Sequence, residues 1–274
     1  CFHTTKRIYD YFEERSMEII DAFLHPVYEN SEKKILSVSD TEVLLNLEKL
    51  KLDLKKNNIK KGNIALFNAR NIPKTFSKFK KEFYFSVLAD FRLKKIDQLF
   101  ELIIENKIKS IIFHPYLQKI VWEDWEYCKK FALFAEKNNI NIIICTAYGS
   151  KEIYNIKVLP FALKIAELVD TPVILSHCGG SKVLEAFLIA DKFTNIFMET
   201  SFSLNYWIGS SVEQDIAFSI KKLGVERWLF GSDAPFIEIK RAIKEQLNFL
   251  DKWKFSEKEI EKIFSLNSRN LFEN

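Results

Sequence analysis

Three of the four histidines in this 274-residue chain stand just after short apolar, β-branched runs. His25 follows the run Glu18–Ala22, His114 follows Ser110–Phe113 and His177 follows Pro172–Ser176; the fourth, His3, lies near the beginning of the chain. Asp233 comes just after another such run, Arg227–Gly231. Cys145 closes the run Asn141–Cys145, and Glu199, Thr200 and Ser201 close the run that begins at Asn195. Imidazole titrates at about 6.5, so it can take or give a proton at neutral pH or ligate a metal. Carboxylate and thiolate add a base and two further ligand types. Gathered at one place, these groups would do acid–base or metal-assisted chemistry on a small molecule.

Gathering them needs an architecture in which the ends of distant strands meet. Short apolar runs alternate with longer amphipathic ones along the chain. Strands are expected at Glu18–Ala22, Asn63–Phe67, Phe83–Leu88, Ser110–Phe113, Asn141–Cys145, Pro172–Ser176, Asn195–Glu199 and Arg227–Gly231. The first helix is expected over Asp40–Lys56, with Asp40 as N-cap and Val43, Leu44, Leu47, Leu50 and Leu54 on one face. Further helices are expected over Lys95–Asn106, Trp122–Lys137, Leu159–Val169, from a Ser181 cap to Lys192, and over Val212–Leu223, Ile237–Leu250 and Ser256–Leu271. Ser256 and Glu259 have the spacing of a capping box. Eight such units in about 250 residues predict an α/β fold, a (β/α)8 TIM barrel of parallel strands, with the residues above on its carboxyl-end rim. An open doubly wound sheet would carry a glycine-rich loop after its first strand. Phe23-Leu24-His25-Pro26 contains no glycine.

Composition agrees. Apolar residues make up 47% of the chain, enough for a large core, and only 7 residues are glycine, with no Gly/Ser/Pro-rich linker. A single barrel domain over 17–274 is therefore expected, preceded by an N-terminal appendage, residues 1–16. The net charge of +4 is a small excess of 41 basic over 37 acidic residues. Lysines in Lys49–Lys61 and Lys74–Lys81 sit at helical spacing or in connections and read as solvated faces rather than a nucleic-acid patch. No apolar run reaches the roughly 18 residues that span a bilayer, and no apolar leader segment is visible. The four cysteines form no CxxC pair. A reduced cytoplasmic protein is expected, with a small-molecule substrate, no nucleic acid or membrane partner, and a homo-oligomer left open.

Several segments resemble the amidohydrolase superfamily. Ile20-Asp21-Ala22-Phe23-Leu24-His25 resembles its first-strand motif, Asp-Ala-His-x-His. Phe113-His114-Pro115-Tyr116 is similar to its fourth-strand His-Pro segment, and Ser176-His177-Cys178-Gly179-Gly180 to its sixth-strand SHxGG. Leu229-Phe230-Gly231-Ser232-Asp233-Ala234-Pro235 matches the eighth-strand FGSDxP, and Asn267-Ser268-Arg269-Asn270-Leu271-Phe272 looks like the terminal helix. The nearest branch is the amidohydrolase-related one that includes aminocarboxymuconate-semialdehyde decarboxylase.

The resemblance implies a hydrolase acting on a small carbonyl or carboxylate compound. It also implies a divalent metal, zinc being expected, held by first-strand and fifth-strand histidines and the eighth-strand aspartate, with the sixth-strand histidine acting on the metal-bound water. Carried over residue by residue, His25 and Asp233 keep metal-ligand positions and His177 keeps the base. Phe23 replaces the first histidine and cannot donate a lone pair; Cys145 stands where the fifth-strand histidine is expected. Ile112 fills the slot of a bridging fourth-strand lysine, which argues against a carbamate-bridged metal pair.

Two chemistries stay open. His25, Cys145 and Asp233 would offer one nitrogen, one sulfur and one oxygen to zinc, or Cys145 is a buried apolar thiol. In the second case His177 and Asp233 would serve as the catalytic base and acid of a metal-independent lactonase or decarboxylase. A catalytically silent binding barrel is the third reading. For substrate contacts the candidates are His114, Arg70 as a carboxylate clamp, Phe23 drying the pocket, and Trp207, with Tyr206, as an apolar lid. His114 also reads as a structural turn residue, Arg70 as a surface arginine, and Glu199 as a carboxylate paired with a lysine or arginine.

Overall fold

A computed structural model describes residues 17–27, 38–67, 74–148 and 150–273. Eight parallel strands pair in chain order. They are β1 Ile19–Leu24, β2 Ile59–Leu66, β3 Phe83–Leu88, β4 Ser110–Phe113, β5 Asn141–Cys145, β6 Val173–Ser176, β7 Ile196–Glu199 and β8 Trp228–Leu229. The seam between β8 and β1 is bonded too. Ala22 N donates to Phe230 O at 2.9 Å, Asp233 N to Phe23 O at 3.0 Å and His25 N to Ala234 O at 2.8 Å. A parallel bridge joins Leu24 to Ala234. The expected (β/α)8 barrel is formed.

The helices in chain order are α1 Asp40–Lys56, α2 Ile96–Glu105, the short α3 Pro115–Gln118, α4 Trp125–Lys137, α5 Val158–Leu168, α6 Val183–Lys192, the short α7 Ser203–Trp207, α8 Ser211–Leu223, α9 Ile239–Lys252, α10 Glu257–Glu261 and α11 Asn267–Glu273. Side-chain alternation along each strand sorts the apolar residues into two cores. Inside the ring lie Ile20, Ala65, Tyr84, Ile112, Ile143, Ile174 and Leu229. Between ring and helices lie their outward neighbours, such as Ile64, Val87, Ile111, Ile144 and Leu175, packed with helix residues such as Leu47, Ile103, Phe131 and Ile216. Phe272 of α11 belongs to the inner core and stacks on Tyr84 at 5.4 Å. Asn141 Nδ2 donates to Leu271 O at 2.8 Å, so the last helix plugs the amino-end mouth of the barrel.

Three local expectations are corrected. Ser39, not Asp40, caps α1: its hydroxyl accepts from Glu42 N at 3.3 Å, and Asp40 is already helical. Ser181 does not cap α6, which begins after Lys182 without a side-chain cap, because the positive-φ pair Gly179 and Gly180 carries the turn and Lys182 N bonds Gly179 O at 3.0 Å. The final helix is not continuous. The Ser256–Glu259 capping box starts α10 as expected, but a π-helical turn at Lys262–Leu266 separates it from α11. There Ile263 O accepts Phe230 N at 2.9 Å, so a helix carbonyl is turned toward the β8 edge.

Candidate active site

The carboxyl ends of the strands carry the site. β1 ends in Phe23, Leu24 and His25, all buried. His25 Nε2 lies 3.0 Å from Asp233 Oδ1, with both side chains nearly inaccessible. Phe23 sits between the two imidazoles, edge-on to His25 at 5.1 Å and to His177 at 5.4 Å. His177 is close enough to Asp233 for the carboxylate to favour its protonated form. The structure thus brings His25, His177, Asp233 and Phe23 to one mouth. Phe67 and Phe236 complete an aromatic wall around His25, at 5.3 and 5.1 Å.

Both His177 and Asp233 have positive φ, 64° and 61°. That region costs a non-glycine residue about 1–3 kcal/mol and persists only where neighbours hold it. Asp233 is held by its N–H to Phe23 O and by the Phe236 N–H on its own carbonyl at 2.9 Å. Asp21, beneath it, accepts the Ser232 N–H at 3.0 Å and the Phe23 N–H at 3.2 Å. His177 is held from the other side. Its Nδ1 is 3.0 Å from Ser201 O and 3.0 Å from Ser201 Oγ. Ser201 Oγ donates to Glu199 Oε2 at 2.6 Å, and Ser201 N donates to Glu199 Oε1. Burial lowers the His177 pKa against the pull of Asp233, so the imidazole is neutral at pH 7.

Among the described residues Glu199 finds neither lysine nor arginine. Its partners are Ser201 and the His177 N–H at 3.4 Å, and burial pushes its carboxyl up to about 8. His114 takes a local structural role: its Nδ1 accepts from Leu117 N at 3.3 Å, capping α3. Its ring also meets Phe67 at 5.5 Å, and burial depresses its pKa to about 3. Trp207 ends α7 and donates from Nε1 to Gly180 O at 3.2 Å, packing on Tyr148 at 5.1 Å. Tyr206 is exposed beside it. Arg70 and the appendage at residues 1–16 lie outside the described residues. A groove of about 550 Å³ between Trp122, Trp125, Ile156 and Phe161 contains none of the three rim histidines and is separate from this chemistry.

A catalytic zinc takes about three protein donors. Among the described residues no three His, Cys, Asp or Glu side chains are grouped to hold a metal ion. The expected His25–Cys145–Asp233 set is therefore not assembled. Phe23 fills the side of the mouth where a second imidazole would stand. Cys145 is buried as a thiol, its pKa pushed up to about 12 by burial and then by the nearby Asp233 charge, against a backbone hydrogen bond at Ala147. His25 Nδ1 is buried with no hydrogen-bond partner, its Nε2 being the nitrogen that faces Asp233. The described residues do not group the three donors that a catalytic zinc takes.

The family profile described as amidohydrolase matches residues 85–273, well over half of the chain. The protein belongs to the amidohydrolase family. This family's barrel and its rim chemistry make the protein an amidohydrolase-related enzyme. No curated protein matches the sequence. Among solved structures, an uncharacterized TIM-barrel protein from Bordetella bronchiseptica aligns with TM-score 0.70 and 16% identity, over 93% of this chain and 98% of that one. A probable 2-pyrone-4,6-dicarboxylic acid hydrolase from Acinetobacter baumannii, with citric acid bound, gives 0.68 and 13%, over 94% and 100%. A dihydroxybenzoic acid decarboxylase from Polaromonas sp. with bound manganese gives 0.60 and 14%, over 93% and 97%. At these identities the shared property is the fold.

Sequence reasoning missed the clamp of Glu199 and Ser201 on His177. The available signal was a Glu-Thr-Ser run ending an inward-facing strand opposite the glycine of the eighth-strand motif.

Proposed function

We propose that this amidohydrolase-related enzyme hydrolyses a small carbonyl or carboxylate compound, an ester or lactone being the fitting class, without zinc or another divalent ion. The observation that carries the reading is a His25–Asp233 pair and a neutral His177 at one buried mouth, with no third donor grouped with them among the described residues. Neutral His177 takes a proton from water as its oxygen bonds to the substrate carbonyl carbon. The imidazolium so formed faces Asp233, whose charge favours it. When the carbon–oxygen bond to the leaving group breaks, His177 returns the proton to the departing oxygen. His25 donates Nε2–H to Asp233 and keeps that carboxylate aimed into the mouth. Phe23, Phe67 and Phe236 keep the mouth dry, which strengthens each charge interaction.

The aligned hydrolase and decarboxylase are named for small carboxylates, which supports a substrate of that size. Trp207 with Tyr206, His114, Phe23 and Arg70 are the proposed substrate contacts. A cytoplasmic protein with no nucleic-acid or membrane partner, with self-association open, completes the proposal; no helix among the described residues is long and apolar enough to cross a membrane.

The test is a turnover screen of the full chain against aryl esters, five- and six-membered lactones and pyrone carboxylates, with His177→Ala alongside. Hydrolysis that falls about 100-fold or more in the variant is expected. Carbon dioxide release without ring opening would replace hydrolysis by decarboxylation. Equal turnover by both proteins would contradict the assignment.

A further inference from the structure

We propose that Glu199 is a positioning residue that sets the tautomer of His177 through the Ser201 hydroxyl. The inference rests on the reading of His177 as the base, but it makes a claim about the resting protein that needs no substrate.

The chain of contacts has a direction. With Glu199 ionised, above about pH 8, Ser201 donates its only hydroxyl proton to Glu199 Oε2 at 2.6 Å, so the hydroxyl meets His177 Nδ1, 3.0 Å away, with a lone pair. The other atom near Nδ1, Ser201 O at 3.0 Å, is also an acceptor. Two acceptors on one ring nitrogen require the proton there. Nε2 on the opposite edge is then the nitrogen with a free lone pair, the state a base needs. Glu199 holds the arrangement with both oxygens, since Oε1 receives Ser201 N and Oε2 also receives the His177 N–H at 3.4 Å.

Gly231 gives an independent sign that this carboxylate has a reserved place. A Cβ on Gly231 would fall 2.1 Å from Glu199 Oε1 and 3.0 Å from Ser201 Cβ. The glycine is required there for space, because its backbone is not in the positive-φ region. The eighth-strand glycine, two strands away from His177, thus leaves room for the group that orients it.

Glu199→Gln keeps the shape and reverses the polarity. The Gln carbonyl can accept Ser201 N, but its NH2 must then donate to Ser201 Oγ. The hydroxyl proton is released toward Nδ1, which favours the tautomer protonated at Nε2. Removing the hydroxyl as well, in Glu199→Gln/Ser201→Ala, leaves Ser201 O as the acceptor at Nδ1 and restores the original tautomer.

The measurement is 15N NMR of imidazole-labelled full-length protein, with the His177 signals assigned by their loss in His177→Asn. Recorded above pH 8, where Glu199 is ionised, wild type is expected to show a protonated Nδ1 and a pyridine-like Nε2. Glu199→Gln should shift population to the Nε2-protonated form, and the double variant should shift it back. A wild-type protein protonated at Nε2 overturns the proposal without any variant having to fold. An unchanged tautomer in folded Glu199→Gln, or a double variant still shifted, overturns it as well. A substrate screen that finds no hydrolysis leaves this readout intact, so the two claims fail separately.

Discussion

At the scale of single residues the site is a set of buried groups whose charges are decided by their neighbours. Asp233 is held by the His25 ring at 3.0 Å, and its charge reaches His177. Asp233→Asn keeps an oxygen for the His25 N–H but removes the charge that balances a protonated His177. Hydrolysis should fall about 100- to 1,000-fold with an unchanged circular dichroism spectrum. A loss matched by unfolding would assign Asp233 to structure instead. The buried acids also set a pH dependence of stability. Burial pushes Glu199 from 4.5 up to about 8 and Asp21 from 3.8 up to about 7. The unfolded chain releases these protons earlier, so their contribution is full below the unfolded values and is lost as pH rises through the folded ones. His114 works in the opposite sense, but only below 6.5, where the unfolded imidazole takes up a proton and the buried one does not. Between pH 6.5 and about 8 the thermal midpoint of wild type should therefore fall, and that of Glu199→Gln should fall less. Parallel slopes for the two proteins in thermal melts would remove Glu199 as the cause.

At the scale of elements, the strands were readable because each is a short apolar run, and the pleat then assigns alternate residues to two cores. His25, His177 and Asp233 could be placed at one mouth for the same reason: each comes within three residues of the end of such a run. What was not readable came from contacts between distant elements. The start of β2, Ile59-Lys60-Lys61-Gly62, reads as a loop by composition, yet it pairs with β1 at Ile19 and Ile20. Lys60 is tolerated there because its amine reaches solvent and Glu18. The π-turn after α10 depends on a carbonyl drawn to Phe230, and the clamp on His177 depends on a serine on the far side of β7, neither of which has a local signature. Two predictions belong to this level. Gly231→Ala forces a methyl against Glu199 and should destabilise by about 1–3 kcal/mol in urea unfolding. A neutral result would mean that the carboxylate can move away at no cost. Phe272→Ala opens the plugged mouth and should cost about 3–5 kcal/mol, while the distant rim keeps its chemistry. A stable but inactive variant would show that the plug shapes the rim.

At the scale of the whole molecule, an amidohydrolase barrel keeps its closed ring, its two cores and a buried His25–Asp233 pair at its rim, while no three metal donors are grouped among the described residues. The substitutions that distinguish it are compact. Phe23 stands in place of a histidine, and Cys145 is a protonated thiol in place of another. Neither disturbs the barrel, because both are buried apolar groups at strand ends that pack as core. On the proposed function, the rim works by imidazole–carboxylate chemistry on a barrel whose fold does not depend on an ion. The central claim is that the site works with its own side chains. It is tested most directly by assaying hydrolysis after exhaustive dialysis against a strong chelator, with zinc and manganese then added back to the same sample. The account predicts full activity in chelator, substoichiometric metal by elemental analysis, and no gain on addition of either ion. Activity lost on chelation and recovered with zinc or manganese would contradict it.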